Sequence, residues 1–203
     1  MQSARLPEVD CSANATRYSH QPLNSKREFV GPMKEGSMET VGFGGGCHWC
    51  TEGVFQILRG VSEVDQGFLQ STAPDDAWAE GVIVRFDPDI IPLEILLEVH
   101  LRTHTANSGY SPNGRYRSAV YVRDAEQHRR TATAISGLKD AVETAERTKV
   151  LTLVGFKSSE QRYRNYYRTD PTRPFCRRYI DPKLAMIRRA FAHHVSEEGY
   201  PSQ

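Results

Sequence analysis

The sequence has no long hydrophobic run, no excess of one charge and no internal repeat. None of its 203 residues belongs to an apolar stretch of the roughly 18 residues that a membrane-spanning helix requires, so we expect no membrane span. Lys and Arg (26) nearly balance Asp and Glu (25), which gives no support to nucleic-acid binding driven by net charge. Residues 1–20 lack the apolar core of a signal peptide and include acidic residues. We therefore expect a cytoplasmic protein.

Cysteine is also scarce, with four residues in the chain. Four cysteines are too few for a disulfide scaffold in a chain of this length. They favour a reducing compartment, where thiols bind metals or act in catalysis. A structural zinc site needs four ligands, usually from two cysteine pairs, whereas this chain has one pair, Cys47 and Cys50. His100 and His104 are spaced to share one helix face, but no H-E-x-x-H motif accompanies them. We expect no metal site.

The order of sequence periodicities predicts one folded domain over residues 39–195. Residues 1–38 are polar and lack an apolar period, so we predict a disordered leader there and a frayed tail over residues 196–203. Between them the patterns follow the order β-α-β-β-α-β, the split βαβ arrangement of ferredoxin-like sandwiches. The expected fold class is α+β, with a mainly antiparallel mixed sheet, helices on one face and a C-terminal extension. The predicted strands are Thr40–Phe43, Val61–Gln70, Gly81–Phe86, Tyr116–Val122 and Val150–Phe156, and the predicted helices are Cys47–Arg59, Pro92–His104, one capped by Asp124 that ends near Thr148, and a stretch from about Glu160.

The segment VGFGGGCHWCTE, residues 41–52, carries the strongest functional signal. A strand that ends in glycines and runs into a helix places Cys47 at the helix N-terminus, where unpaired N–H groups and the helix dipole stabilise a thiolate. Cys50 lies one turn further along the same face, within reach for a disulfide. We therefore expect the pair to act in redox or nucleophilic chemistry.

Glu52 follows this pair and has two interpretations. On an ideal helix it points well away from Cys47, so both residues serve one pocket only if Cys47 precedes the regular turns. Beside Trp49 and Phe55 the carboxyl would be partly desolvated, which raises its pKa and lets it deliver a proton. Spacing alone favours the alternative, a solvated glutamate in the first helical turn that interacts with the dipole.

Several segments of the chain match the pattern of one known family. Gly46–Glu52 fits the signature G-C-F-W-C/G with a glutamate two residues beyond, and the Tyr116-Arg117-Ser118 strand and Phe175-Cys176 match later parts of the pattern. Further matches are Gly60-Val61, Gly67-Phe68, Ala79-Glu80, Phe86-Asp87-Pro88 and the Glu94–His104 helix. Over roughly residues 40–185 the chain resembles the A-type peptide methionine sulfoxide reductases.

The resemblance implies a reaction and a role for each matching residue. Cys47 would attack the sulfur of methionine S-sulfoxide, free or in protein, and become a sulfenic acid while Glu52 protonates the departing oxygen. A resolving thiol would then form a disulfide that thioredoxin reduces, in repair of oxidative damage. Trp49 and His48 would cage the substrate methyl group, and Tyr116 would hydrogen-bond the sulfoxide oxygen. No metal or bound organic cofactor is required.

The sequence leaves two candidates for the resolving thiol. Cys50 is close to Cys47 and needs no chain movement, so we expect it to act first. Cys176 is either a second relay or the true partner, and its alternative interpretation is a free cysteine packed as a small hydrophobic residue. We expect the protein to be a monomer.

Several positions depart from the family pattern. His48 replaces the usual phenylalanine, Phe68 replaces a tyrosine whose hydroxyl joins the oxygen network, and Tyr163 stands where a histidine is usual. The loop before the Tyr-Arg-Ser strand is shorter and lacks the family's aspartate, so Ser111 or Asn113 is expected to line the pocket instead. The chain is therefore expected to be a divergent member. The alternatives are a general thiol–disulfide oxidoreductase and a non-catalytic relative that binds methionine or its sulfoxide.

Overall fold

A six-stranded β-sheet with associated helices forms the framework of the protein, seen in a computed structural model that describes residues 38–104 and 114–196. The strands are β1 (Glu39–Gly44), β2 (Val61–Gln70), β3 (Ala79–Phe86), β4 (Ala119–Val122), β5 (Lys149–Thr152) and β6 (Gly155–Ser158). The α-helices are α1 (His48–Gln56), α2 (Leu93–Thr103), α3 (Ala125–Leu138), α4 (Thr144–Arg147), α5 (Tyr166–Thr169) and α6 (Asp181–Ala190). They are accompanied by the 3₁₀ helices Gln161–Tyr163 and Ala192–His194 and by a π-helix, Cys176–Ile180.

The strand order β5-β4-β1-β3-β2-β6 contains the predicted split βαβ core. Strand β3 lies between β1 and β2 and is antiparallel to both, and β4 is antiparallel to β1 on its other side. Each βαβ crossover skips one position, since β3 lies between β1 and β2, and β1 lies between β3 and β4. Because β5 pairs in parallel with β4, the sheet is mixed, and the predicted α+β fold class is confirmed.

The two edges of the sheet approach each other at β5 and β6. Leu153 donates its backbone N–H to the carbonyl oxygen of Val122 (2.8 Å), whereas the next residue, Val154, donates to that of Gln70 (3.0 Å). The sheet is therefore strongly curled, because one continuous segment pairs with β4 through β5 and with β2 through β6. The single strand predicted over Val150–Phe156 is wrong, because this segment is divided between β5 and β6 on opposite edges.

The main hydrophobic core holds α1 against the sheet. Phe43 of β1 and Phe55 of α1 are fully buried and their rings stack at 4.4 Å. Further buried residues come from α2, α3 and α6, among them Leu97, Ile135 and Leu184. Removal of this apolar surface from water fixes the position of α1, and with it the position of the cysteine pair.

Helix α3 is shorter than predicted. Asp124 caps it as expected, since its side chain accepts a hydrogen bond from the backbone N–H of Gln127 (2.8 Å). The helix ends one residue after Gly137, whose low helix propensity favours a break there. The chain then turns into α4, which buries Ala145 in the core, so the prediction of a helix that continues to Thr148 is wrong.

The ends of the chain stay at the level of prediction. The leader predicted over residues 1–38 and the tail predicted over residues 196–203 lie outside the described residues, except for Met38 and Ser196. The domain limits at residues 39 and 195 are therefore predictions still. Among the helices of residues 38–104 and 114–196, none is both long and apolar enough to span a bilayer.

Gly67 on β2 lies too close to β6 to carry a side chain. A Cβ atom there would lie 2.2 Å from the carbonyl oxygen of Lys157 and 2.8 Å from the ring of Phe156. We expect Gly67→Ala to lower the free energy of unfolding by about 1–3 kcal/mol, measured by urea denaturation. Gly137→Ala is the control, because no atom lies within 4 Å of its Cβ position. Equal stability of Gly67→Ala and wild type would contradict the close packing.

Candidate active site

Cys47 stands at the junction between β1 and α1. The glycines before it, Gly45 and Gly46, have φ values of 150° and 108°, which only glycine adopts readily. Cys47 is the extended N-cap residue of α1, and its carbonyl oxygen accepts the first helical hydrogen bonds from Cys50 (3.1 Å) and Thr51 (3.3 Å). The predicted position of Cys47 at the helix N-terminus is therefore observed. The helix N-terminus favours the thiolate form of such a cysteine.

A cleft of about 330 Å³ opens beside this cysteine. Cys47, Cys50 and Tyr116 line it together, so the structure brings these three predicted site residues to one cavity. Tyr116 arrives from the segment before β4, where the guanidinium of Arg115 lies 5.6 Å from the centre of its ring. The other described residues of the lining are Gly45, Gly46, Thr51, Val54, Thr103, His104, Phe175, Tyr179 and Lys183.

Glu80, at the start of β3, is the carboxylate placed next to the cysteine helix. It is 2 % exposed, and its Oε2 accepts a hydrogen bond from the backbone N–H of His48 (3.3 Å). Its other oxygen, Oε1, accepts from Nε (2.7 Å) and pairs with Nη2 (2.6 Å) of Arg115. The two oxygens therefore have separate partners, and Oε2 is the one directed to the residue that follows Cys47.

Sequence reasoning gave Glu80 no role. The Ala79-Glu80 pair was visible only as part of the family pattern. The available signal was a lone carboxylate within the apolar strand β3, at a position that Arg115 reaches only through the fold. A charge buried in this way needs a partner, which makes such a residue a candidate for a site.

Neither Glu52 nor Glu80 is among the described residues that line the cleft of Cys47, and Glu52 lies on a different side of α1. Its carboxylate is 1 % exposed and accepts hydrogen bonds from the backbone N–H groups of Asn165 (2.7 Å) and Tyr166 (3.0 Å). Gln66 adds a third, longer contact of 3.4 Å. Glu52 instead lines a separate cavity of about 290 Å³ between α1, β2 and the start of α5.

The environment of Glu52 agrees with one part of its prediction and corrects another. Burial raises the pKa of Glu52, and the hydrogen bonds from Asn165, Tyr166 and Gln66 lower it in part. The alternative of a solvated glutamate is therefore wrong. The placement in one pocket with Cys47 is also corrected, because the side chain leaves α1 on the face that meets α5 and β2.

The aromatic residues expected to hold the substrate form two groups. Trp49 stacks on Tyr166 with ring centres 4.2 Å apart and an angle of 7°, and meets the edge of Phe175 at 5.6 Å. His48 is buried and packs edge-on against Phe68 at 5.8 Å. Phe68 thus belongs to the group of His48. The predicted residue Ser111 lies outside the described residues.

The ring of His48 is held beside Glu80. Its Nδ1 lies 3.3 Å from the carbonyl oxygen of Gly67 and 3.7 Å from Oε2 of Glu80. Burial lowers the pKa of His48, Glu80 and the Gly67 carbonyl oppose this shift, and Arg115 adds to it. The imidazole is therefore neutral near pH 7 and donates Nδ1–H to Gly67.

The three described cysteines are all free thiols. Cys50 lines the cleft with Cys47, whereas Cys176 is fully buried at the start of the π-helix and donates Sγ–H to the carbonyl oxygen of Asp170 (3.6 Å). Burial raises the pKa of the Cys176 thiol. Burial raises the pKa of Tyr166, Arg173 opposes this shift, and Cys176 and Cys47 add to it.

His100 and His104 stack on each other behind the glycine turn, with ring centres 4.2 Å apart. His100 Nε2 lies 3.1 Å from the carbonyl oxygen of Gly44, and His104 bonds through Nδ1 to the carbonyl oxygen of His100 and through Nε2 to Ser118. The rings therefore support the glycine turn. No group of three or more His, Cys, Asp or Glu in the described ranges is arranged to hold a metal ion.

The buried histidines predict how stability depends on pH. Burial lowers the pKa of His48, His100 and His104 below 6.5, so the unfolded chain takes up protons first on acidification and stability falls as pH drops from there. We expect His48→Phe to reduce this slope by up to about 1.4 kcal/mol per pH unit, measured by urea unfolding between pH 7 and 5. The raised pKa of Glu52 acts in the opposite direction in both proteins, and the exposed His128→Gln is the control. Identical slopes for His48→Phe and wild type would contradict the prediction.

Residues 39–195 match the family model of peptide methionine sulfoxide reductase. The chain belongs to this family. Members of the family reduce methionine sulfoxide, and this oxidoreductase activity is accordingly the activity of the chain.

A relative supports the assignment, and solved structures share the fold. The peptide methionine sulfoxide reductase MsrA of Ralstonia nicotianae is 33 % identical over 179 residues, which cover 78 % of this chain and 94 % of the relative. Methionine sulfoxide reductase A of Corynebacterium diphtheriae shares the fold with a TM-score of 0.57 at 22 % identity, over 68 % of this chain and 77 % of that one. Mxr1 of Saccharomyces cerevisiae in complex with Trx2 does so with a TM-score of 0.51 at 16 % identity, over 61 % and 81 %.

Proposed function

We propose that the protein reduces the S epimer of methionine sulfoxide with Cys47 as nucleophile and Glu80 as proton donor. The observation that carries this proposal is the position of Cys47 at the N-cap of α1, one residue before the N–H group that holds Oε2 of Glu80. The peptide unit between Cys47 and His48 therefore connects the residue that carries the thiolate to the N–H group that binds the buried Glu80 carboxyl. The sulfoxide presents the matching pair of atoms, an electrophilic sulfur and a basic oxygen.

The first step forms a bond between the Cys47 sulfur and the substrate sulfur. Glu80 gives a proton to the sulfoxide oxygen, and this oxygen passes from the substrate sulfur to the Cys47 sulfur. The bond between the two sulfurs breaks in the same step, which leaves a sulfenic acid on Cys47 and releases methionine. The sulfoxide gains two electrons and the cysteine loses two, so methionine leaves without a metal or organic cofactor. Arg115 holds Oε1 of Glu80, so that Oε2 is the oxygen on the side of His48 and Cys47. Tyr116 lines the cleft, and its hydroxyl group forms a hydrogen bond with the sulfoxide oxygen.

The second step returns the enzyme to its reduced state. The thiol of Cys50 attacks the sulfenic acid, water leaves, and the Cys47–Cys50 disulfide is reduced by a thioredoxin-type dithiol. The shared cleft supports Cys50 as the first resolving thiol, while the position of Cys176 directly after the cleft residue Phe175 supports it as a second relay. The complex of yeast Mxr1 with Trx2 supports a thioredoxin as reductant. A monomeric protein that repairs oxidised methionine in the cytoplasm is our proposal for its context.

Oxidation of NADPH coupled through thioredoxin and thioredoxin reductase tests the proposed function. With separate S- and R-sulfoxide substrates we expect turnover of the S epimer alone. Turnover of the R epimer at an equal rate would contradict the proposed stereochemistry. Reduction of insulin without any sulfoxide substrate, and no turnover of either epimer, would assign the cysteine pair to general thiol–disulfide exchange instead.

A further inference from the structure

One wall of the Cys47 cleft carries a lysine that the reaction described above does not use. Lys183 projects from the first turn of α6 towards the C-terminal end of α2. Its Nζ donates a hydrogen bond to the carbonyl oxygen of Thr103, the last residue of α2. This contact holds the ammonium group at the cleft, and it occupies one of the three N–H donors of the side chain.

Lys183 gives the cleft a positive charge that no acidic residue of the described lining balances. The lining contains no Asp or Glu, and within the described ranges Lys183 forms no ion pair. The neighbouring His104 is neutral near pH 7, because burial lowers its pKa and Lys183 adds to that shift. Residues 105–113, which join α2 to the segment of Tyr116, contain no acidic or basic residue in the sequence. Apart from the thiolate form of Cys47, the described lining carries no negative charge, so the cleft retains a cation that can bind a carboxylate.

The cleft has one reactive wall and one cationic wall. Its volume of about 330 Å³ lies at the lower end of the range for small-molecule sites, which extends from about 300 to 1,000 Å³. A methionine sulfoxide molecule whose sulfur meets Cys47 carries its α-carboxylate at the other end of a short side chain. A methionine sulfoxide within a polypeptide has a neutral amide at that position, which can accept a hydrogen bond from an ammonium group but offers it no negative charge.

We propose that Lys183 binds the α-carboxylate of the substrate, so that this enzyme favours free methionine sulfoxide, or a methionine sulfoxide at a C-terminus, over an internal residue. The inference rests on the proposed function, since it places the reacting sulfur at Cys47. It assigns Lys183 to substrate selection and gives it no part in the chemical step.

A pair of substrates that differ only in the carboxylate tests the proposal. We expect wild type to show a kcat/KM about tenfold higher for methionine S-sulfoxide than for its carboxamide, the factor given by one charge-assisted hydrogen bond. Lys183→Met is expected to bring this ratio close to one, and Lys183→Arg to retain most of it. Arg189→Met is the matched control, because Arg189 is exposed on the same helix and does not line the cleft.

The ratio within each variant separates selection from a structural role. A lysine that only capped Thr103, or only favoured the thiolate, would change both substrates equally, and that result would overturn the proposal. A wild-type ratio near one would overturn it too. N-acetyl-methionine S-sulfoxide, which keeps the carboxylate and lacks the free amine, should resemble the free amino acid; if it behaves like the carboxamide, the amine and not the carboxylate is recognised. Absence of turnover with every substrate would instead contradict the proposed function.

Discussion

Cys47→Ser is expected to lower the turnover of methionine S-sulfoxide by at least about 1,000-fold, the scale seen when an enzyme loses its nucleophile. A serine hydroxyl at the N-cap of α1 keeps the geometry of the helix terminus and can still cap it. It is not ionised near neutral pH, however, and an oxygen nucleophile cannot carry the sulfenic acid and disulfide steps. The expected loss of turnover is therefore due to the missing nucleophile and not to unfolding. Thermal unfolding of the variant would verify that the fold is intact.

The other two described cysteines provide the controls in a single-turnover experiment. Without any reductant, Cys50→Ser and Cys176→Ser should each release one methionine per protein, because Cys47 alone completes the first step. Only the variant that lacks the resolving thiol should fail to form a disulfide, and we expect this of Cys50→Ser. Peptide mapping after one turnover should then find Cys47 joined to Cys50 in wild type. A bridge between Cys47 and Cys176 would assign the first resolving role to Cys176, and methionine release by Cys47→Ser would exclude Cys47 as the nucleophile.

Local sequence signals were sufficient for the central part of the fold. The bounds of β2 and the cap of α3 at Asp124 follow from alternation and from side-chain chemistry within a few residues. The division of the segment after α4 into β5 and β6 does not, because it depends on the curl of the whole sheet, which brings Val122 and Gln70 to adjacent residues of one segment. Curvature arises from the packing of distant strands, and an alternating pattern cannot report it.

The same distinction applies to the site. The position of Cys47 could be predicted because it depends on a strand end, glycines and a helix start that are consecutive in the chain. The burial of Glu52 was one of two interpretations of its apolar neighbours, and spacing alone favoured the other. The direction of its side chain could not be predicted, since it is decided by the backbone N–H groups of Asn165 and Tyr166, more than a hundred residues later. Glu80 became a candidate only when the fold brought Arg115 and the cysteine helix to it.

Glu80→Gln is expected to lower kcat by about 100-fold or more, in the range that general acids contribute, while KM changes little. Glutamine has the same shape, and its amide oxygen can still accept the hydrogen bond from His48 or from Arg115. It cannot deliver a proton to the sulfoxide oxygen, so the step that breaks the bond from sulfur to oxygen loses its acid. Methionine release measured by rapid quench in a single turnover would isolate that step from disulfide recycling.

Glu52→Gln is the matched control for Glu80→Gln, because both carboxyls are buried. Glu52 belongs to α1, and Glu80 accepts a hydrogen bond from the first residue of that helix. Glu52 is hydrogen-bonded to the start of α5 and lines the other cavity. Its substitution should therefore change kcat by less than about threefold. Expressed as activation free energy, this change is a few tenths of the loss expected at Glu80. The pair therefore separates the two carboxyls by function as well as by position. A large loss in Glu52→Gln with near-normal activity in Glu80→Gln would return the role of acid to Glu52, and it would require α5 to move so that the Glu52 carboxyl reaches the cleft of Cys47.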